Sequence, residues 1–563
     1  MPQLQTSLGA LQPHVDCLLE SLDRKNILQR IRDRDHTVWK PSPDEIANRL
    51  GWLDSPVHMA GQLDGIDAVV QTVRRAGYTH ALLLGMGGSS LAPEVFRLTF
   101  GIAPGHLDLS VLDSTHPDAV LACARRLDPA RTLYIPATKS GGTVETLSFL
   151  KYFYNQTADA VGADEAGRHF VAITDPASGL ADLATELNFR HTFLNDPDIG
   201  GRYSALSFFG LVPAALIGMD SRRLLQSARR AADENDGSLL GAAMGAAALE
   251  GRDKVALITS PGLSSCGAWV EQLIAESTGK QDRGILPVDG ESLGSPAVYG
   301  DDRLFVYTRL ANDDTHDRAV QDLVEEGHPT IRIDVGEPYD LGGLFFAWEM
   351  ATIVAGHIIG INPFDQPNVE AAKVLARQMV QSYQRQGQLP ALQATLQEGE
   401  LTVFSSQPAP SLAQALDALL AEASSSGDSE PSGRSYIALQ AYTNPDPAAD
   451  AALQALRQAL RDRTQLATTV GYGPRFLHST GQLHKGDAGR GLFLQFTGDA
   501  AEDAPIPDAP GSPASGMSFG VLIAAQALGD HQALLDAGRA VLRIHLGRDI
   551  AAGLQQVHRA LTG

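Results

Sequence analysis

Short apolar runs that alternate with helix-length stretches, the first of them continuous and followed by a glycine loop, constrain this chain more than any other feature. HALLLG (His80–Gly85), LDLSVLD (Leu107–Asp113), RTLYIPAT (Arg131–Thr138) and HFVAITD (His169–Asp175) form one such series. KVALITS (Lys254–Ser260), LFVYTRL (Leu304–Leu310) and TIRIDV (Thr330–Val335) form a second. A strand without polar alternation has both faces covered, and a helix between successive strands is the crossover that a parallel pair requires. The two series predict an α/β fold with two tandem doubly wound parallel sheets. In such sheets ligands collect beyond the carboxyl ends of the strands, where helix N-termini point their unpaired N–H groups.

The chain has 563 residues, more than one hydrophobic core organises, and the rest divides around these series. Residues 1–60 read as a polar helical arm, with a Pro-initiated helix start at Ser42–Ile46. Residues 61–235 hold the first sheet and residues 236–398 the second, which closes with a long helix over Pro367–Gln386. Residues 399–563 read as a smaller α/β unit. There a linker rich in turn formers, SSSGDSEPSGRS (Ser424–Ser435), precedes strands in SYIALQAYT, LATTVGYG and GLFLQFTGD and a helical stretch from Phe519 to Leu546.

A net charge of −22 argues against non-specific binding to nucleic acid or an anionic membrane, which needs an excess of Lys and Arg. An anionic ligand would need a locally positive site. Cys17, Cys123 and Cys266 show no CxxC pair and no metal-ligand spacing, so a reduced, cytoplasmic protein without metal or cofactor is expected. The N-terminus lacks the pattern of a signal peptide, and no run of about 18 apolar residues predicts a membrane span.

Four stretches carry side chains suited to chemistry. GMGGSSLAPE (Gly85–Glu94) follows a strand; Gly87 and Gly88 allow close backbone approach, and Ser89 and Ser90 offer hydroxyls. A tight strand–helix turn accounts for it equally. TKSGGTVET (Thr138–Thr146) also follows a strand. Thr138, Lys139, Ser140 and Thr143 offer hydroxyls, an ammonium and free N–H groups to a phosphate dianion, more than an N-cap needs. In GAWVEQLIAESTGK (Gly267–Lys280), Gln272 and Glu276 stand one helical turn apart on one face. A carboxylate among apolar neighbours suits proton transfer, although a polar helix end explains the stretch by itself. GGRYSALSFFG (Gly200–Gly210) sets Arg202 behind two glycines and ahead of an apolar helix.

Together with FDQPNVEAAK (Phe364–Lys373), these stretches occur in the order found in the glucose-6-phosphate isomerase family, which the chain resembles over roughly residues 79–386. The resemblance implies a pair of sugar-isomerase (SIS) domains. The remaining parts look most like the isomerase half of transaldolase–glucose-6-phosphate isomerase fusions, although too few residues precede the match to hold a transaldolase barrel. The implied reaction is the interconversion of glucose 6-phosphate and fructose 6-phosphate through a cis-enediolate. By the same resemblance Glu276 is the base that moves a proton between C1 and C2, and Arg202 stabilises the enediolate. Lys373 acts in ring opening. Thr138, Lys139, Ser140 and Thr143 hold the phosphate, while Gly88, Ser89, Gly201 and Gln272 contact the substrate. Such chemistry needs a base and a fixed cation but no metal.

The chain departs from the family at the ring-opening histidine. His316, His328 and His357, in the interval where the family carries it, stand in unlike contexts. The best local match is His478 in GYGPRFLHSTGQLHKG, beyond the FDQ segment, with His484 as the fallback; an exposed structural histidine is the other reading. If His478 serves, the C-terminal unit supplies within one chain what the family takes from a neighbouring subunit, which leaves monomer and homodimer both open. The alternatives to this enzyme are an isomerase of mannose 6-phosphate, a non-catalytic sugar-phosphate sensor, and a C-terminal unit that docks a separate transaldolase.

Overall fold

The computed structural model describes residues 3–234, 237–423 and 434–563. Most of the linker predicted at Ser424–Ser435 lies outside the described residues.

The first sheet is wholly parallel. Its strands run in the order Asp108–Leu112, His80–Gly85, Thr132–Ala137, Val171–Thr174, His191–Leu194. The chain enters in the second of these strands, leaves to one side, and then returns to the other. The reversal therefore falls between His80–Gly85 and Thr132–Ala137, where an open sheet leaves a crevice. Gly85 pairs with Ala137, so GMGGSS and TKSGGT leave the sheet side by side.

The second sheet orders Thr330–Val335, Arg303–Leu310, Lys254–Thr259 and Leu286–Val288 in parallel. Gln3–Ser7 completes its edge antiparallel to Thr330–Val335. The opening segment is thus not wholly helical. Its alternating side chains fit an edge strand, and pairing satisfies N–H and C=O groups that an uncovered edge would leave open. The start predicted at Ser42–Ile46 is a turn, with Glu45 in the left-handed region at φ 54°.

Helix Leu341–Ile358 has the length and apolarity of a membrane span, yet it is buried from Leu341 to Gly356. It packs against helices Ser221–Glu234 and Ser238–Leu249 as the central element of the main core.

The C-terminal unit has its own core around a six-stranded sheet, ordered Leu396–Glu398, Leu401–Phe404, Ala540–His545, Gly491–Thr497, Tyr436–Tyr442, Ala467–Tyr472. The last four are mutually parallel. The stretch predicted helical from Phe519 to Leu546 divides into helix Phe519–Asp536 and strand Ala540–His545. Gly538, at φ 71°, makes the turn between them, and the β-branched residues beyond it fit a sheet. Helix Val369–Gln386 matches the expected long helix and lies against Phe519–Asp536, joining this unit to the rest.

Candidate active site

The phosphate-loop candidate sits at the reversal point of the first sheet. The Thr138 and Thr143 hydroxyls are 2.7 Å apart, and Ser140 Oγ accepts from Gly142 N–H at 3.3 Å. Helix Val144–Val161 begins here without a side-chain cap, so its first N–H groups face the loop. An anion fits such an end by direct hydrogen bonding and by the helix dipole. Lys139 is turned elsewhere: its ammonium pairs with Asp175 and donates to Pro197 O at 2.7 Å. The structure brings Thr138, Ser140 and Thr143 together and holds Lys139 to their side.

GMGGSS packs directly on GGRYS. A side chain at Gly88 would overlap the Gly201 carbonyl, so the two backbones touch only because that position is glycine. Ser89 is buried beside this contact, while a Cβ on Gly201 would enter open space.

Arg202 is 4% exposed, which leaves its charge no solvent screening and makes its partners decisive. Nε donates to Ser277 Oγ, Nη1 to Gln366 Oε1 and Nη2 to Pro363 O, each at 2.8 Å; Nη2 also donates to Asp365 O at 3.2 Å. A guanidinium has five N–H donors, so one hydrogen on Nη1 remains. That nitrogen lies 3.5 Å from Glu276 Oε1. The carboxylate and the spare donor thus lie side by side.

Helix Cys266–Thr278 carries Gln272 and Glu276 on one face, as their spacing predicts. Gln272 Nε2 donates to Glu276 Oε2 at 3.1 Å and to the His478 carbonyl at 2.7 Å. Both amide hydrogens are used, and the buried Gln272 Oε1 has no partner. Lys280, at the end of ESTGK, is fully buried and donates to Asp365 Oδ1 at 2.8 Å. Burial, and then the charge of Arg202, push its ammonium down to about 8.

His478 arrives from the C-terminal unit in the loop after strand Ala467–Tyr472. Its Nε2 is 3.1 Å from Glu145 Oε1. Burial pushes the Glu145 carboxyl up, but the charge and hydrogen bond of His478 outweigh it and hold the group below its ordinary range. His478, Lys373, Ser140, Thr143 and Glu145 line one cleft of about 550 Å³, and Gln272 is tied to it through its bond to the His478 carbonyl. His484 points into its own unit's core: it is 2% exposed, with Nδ1 3.3 Å from Gln440 Nε2. Burial, with Lys485 and Arg539 close by, pushes its imidazole well below the ordinary range. His484 is therefore removed as the fallback. His328 and His357 face the backbone carbonyls of Pro296 and Val38.

Three residues of the site escaped the sequence reading. Glu145 stands within TKSGGTVET, but its partner lies 333 positions away. Gln526 donates to Glu145 Oε1 at 2.6 Å from helix Phe519–Asp536. Gln482 joins the ESTGK turn to the FDQPN strap: its Nε2 donates to Gly279 O and Asn368 Oδ1, and its Oε1 accepts from Asn368 N–H. Nothing local marks either glutamine. Among the described residues no group of three or more His, Cys, Asp or Glu side chains is arranged to hold a metal ion.

The Phosphoglucose isomerase family model matches residues 63–247. A glucose-6-phosphate isomerase of Rubrobacter xylanophilus is 30% identical over 360 residues, covering 54% of this chain and 83% of the relative. One from Thermus thermophilus is 28% identical over 393 residues, covering 59% and 90%. Among solved structures, a hypothetical protein of Thermus thermophilus superposes with TM-score 0.57 at 26% identity, covering 67% of this chain and 99% of its own. A glucose-6-phosphate isomerase of Chlamydia trachomatis has the same fold, with TM-score 0.55 at 19% identity over 65% of this chain and 86% of its own.

Proposed function

The chain belongs to the glucose-6-phosphate isomerase family, and we infer from its site how it interconverts glucose 6-phosphate and fructose 6-phosphate. It is an aldose–ketose isomerase. The observation that carries the residue assignment is the buried pairing of Glu276 with the one uncommitted N–H of Arg202. A sugar-phosphate sensor needs the phosphate loop but neither of these.

The substrate's phosphate rests on Thr138, Ser140, Thr143 and the N–H groups of helix Val144–Val161. Ring opening proceeds in the cleft between Lys373 and His478. Glu145 accepts from His478 Nε2, so it is Nδ1 of the protonated imidazole that gives a proton to the ring oxygen as the bond from that oxygen to C2 breaks, while the anomeric hydroxyl loses its own proton to water and C2 becomes the carbonyl carbon. Glu276 then takes a proton from C1 of the ketose and returns it to C2. As the proton leaves, negative charge builds on the substrate oxygen, and Arg202 Nη1 meets it with a donor already in place. The partnerless Gln272 Oε1 accepts from a sugar hydroxyl and orients the chain of carbons.

In this reading the unit over 61–235 binds phosphate, the unit over 236–398 supplies the base, and the unit over 399–563 supplies the ring-opening histidine. One chain then holds every group the reaction uses, so a monomer is competent. A cytoplasmic location follows from a phosphorylated substrate and three unpaired cysteines. An association with a transaldolase rests on the fusion resemblance alone.

The test is a coupled assay of fructose 6-phosphate to glucose 6-phosphate without added metal, on the wild type and Glu276→Gln. Loss of several orders of magnitude in the variant, with sugar-phosphate binding kept, supports the assignment. A variant that retains activity refutes Glu276 as the base. A wild type that binds the sugar phosphate without turning it over points to the sensor.

A further inference from the structure

Gln526 lies outside every motif of the active site, on the C-terminal helix Phe519–Asp536, yet it is 3% exposed and ends on Glu145. Its contacts are directional. Thr115, in the first sheet's unit, donates its hydroxyl to Gln526 Oε1 at 2.8 Å. Gln526 Nε2 donates to Glu145 Oε1 at 2.6 Å. Were the amide reversed, its oxygen would face a carboxylate oxygen and lose the Thr115 donor. The Thr115 hydroxyl therefore fixes which end of the amide meets Glu145.

Glu145 Oε1 in turn is shared between Gln526 Nε2 and His478 Nε2. A buried carboxylate held by a neutral donor stays an acceptor and keeps its orientation. As long as it does, His478 Nε2 must carry a hydrogen, and Nδ1 alone exchanges protons in the cleft. Without the amide, the carboxylate would lose the one neutral side-chain donor that fixes its direction, leaving the imidazole, a backbone N–H and the charge of Lys373 against its burial. Other charged or titratable groups near Glu145 are Lys373, on helix Val369–Gln386, and Tyr442, at the end of strand Tyr436–Tyr442.

Resting on the assignment of His478 to ring opening, we propose that Gln526 is a positioning residue for that step. Through Thr115 and Glu145 it sets the tautomer and direction of His478, so the C-terminal unit supplies both the acid and the group that aligns it.

The step in which Gln526 acts can be isolated by substrate. Fructose 6-phosphate must be opened, whereas a four-carbon aldose phosphate, with its terminal oxygen phosphorylated, has no hydroxyl left to close a five- or six-membered ring. Gln526→Met keeps an unbranched side chain of similar length in the buried site and removes the donor. The expected result is a fall in kcat/KM for fructose 6-phosphate of about tenfold to a hundredfold, part of the 10²–10⁴ that a general acid supplies. Turnover of the four-carbon substrate stays within about threefold of wild type, a margin set against that range. The acid limb of the fructose 6-phosphate pH profile shifts with the lost donor. Thr115→Val, which frees the amide to rotate, gives a smaller change in the same direction and covers the case in which Gln526→Met does not fold. Equal losses on both substrates, or wild-type activity and pH profile in both variants, overturn the proposal. Those results leave the isomerase assignment standing, because it is read from the wild type and Glu276→Gln.

Discussion

Gly87→Ala tests whether the C-terminal loop is held at the distance the chemistry needs. Gly87 sits at φ +52°, and a Cβ there would lie 2.8 Å from Gln272 Nε2, 2.9 Å from His478 O and 3.0 Å from His478 Cβ. Comfortable contacts of carbon are about 3.5–4.0 Å, so the His478 loop must retreat by about 0.5–1 Å or Gln272 must swing away. Either movement breaks the 2.7 Å bond from Gln272 to the His478 carbonyl. The left-handed backbone adds roughly 1–2 kcal/mol against a residue with a Cβ. A displacement near 1 Å in a catalytic array costs about 10²-fold, equivalent to about 2.7 kcal/mol of transition-state stabilisation. The expected outcome is kcat/KM for fructose 6-phosphate lowered about a hundredfold, read in the coupled assay, together with a lower Tm. Gly65→Ala is the control. It lies on the exposed side of helix Leu63–Arg75 with nothing within 4 Å of the new methyl, and it should keep full activity while gaining about 0.5–1 kcal/mol of stability. A folded Gly87→Ala enzyme with wild-type kcat/KM would refute the reasoning, because the loop would then have tolerance that the contacts deny.

Arg202→Lys should lower kcat by about 10²–10³, the scale of losing one oxyanion donor, since an ammonium cannot hold Ser277, Gln366 and two carbonyls while still facing the substrate. Steady-state kinetics showing only a KM change would contradict that. Lys280 is charged below about 8 and neutral above it, so its hold on the Asp365 carboxylate weakens as pH rises through that value. We expect an alkaline limb in kcat/KM near pH 8 that Lys280→Met abolishes, at a lower and flatter activity; an unchanged limb in the variant would assign it to another group. Glu271 is pushed up to about 8 by burial and then by Asp289, with Arg475 and Arg457 opposing. The folded state keeps that proton through a range in which the unfolded chain, near 4.5, has lost it, so stability falls as pH rises from 4.5 to 8. Glu271→Gln should therefore raise Tm at pH 8.5 by about 2–4 °C and leave it unchanged at pH 5, and equal shifts at both pH values would exclude the linkage.

Local pattern determined much of this protein. Apolar runs such as HALLLG and KVALITS become central strands because they are too short for a buried helix and end in turn-forming residues, and the loops after them emerge at the carboxyl ends where ligands bind. Four residues of spacing place Gln272 and Glu276 on one helical face, and the hydrogen bond between them follows from helix geometry alone. Tertiary structure decided which distant groups complete the site. The pairing of Gln3–Ser7 with Thr330–Val335, the meeting of Glu145 with His478, and the arrival of Gln526 and Gln482 each join positions more than a hundred residues apart. The same packing turned Lys139 onto Asp175 and His484 into its own core, although both stand in motifs that suggest substrate contact. Periodicity reports which face of an element is buried, but not against what. That choice is made by side-chain shape and by the need of each buried polar group for a partner, and both are settled only when the sheets and helices close on one another.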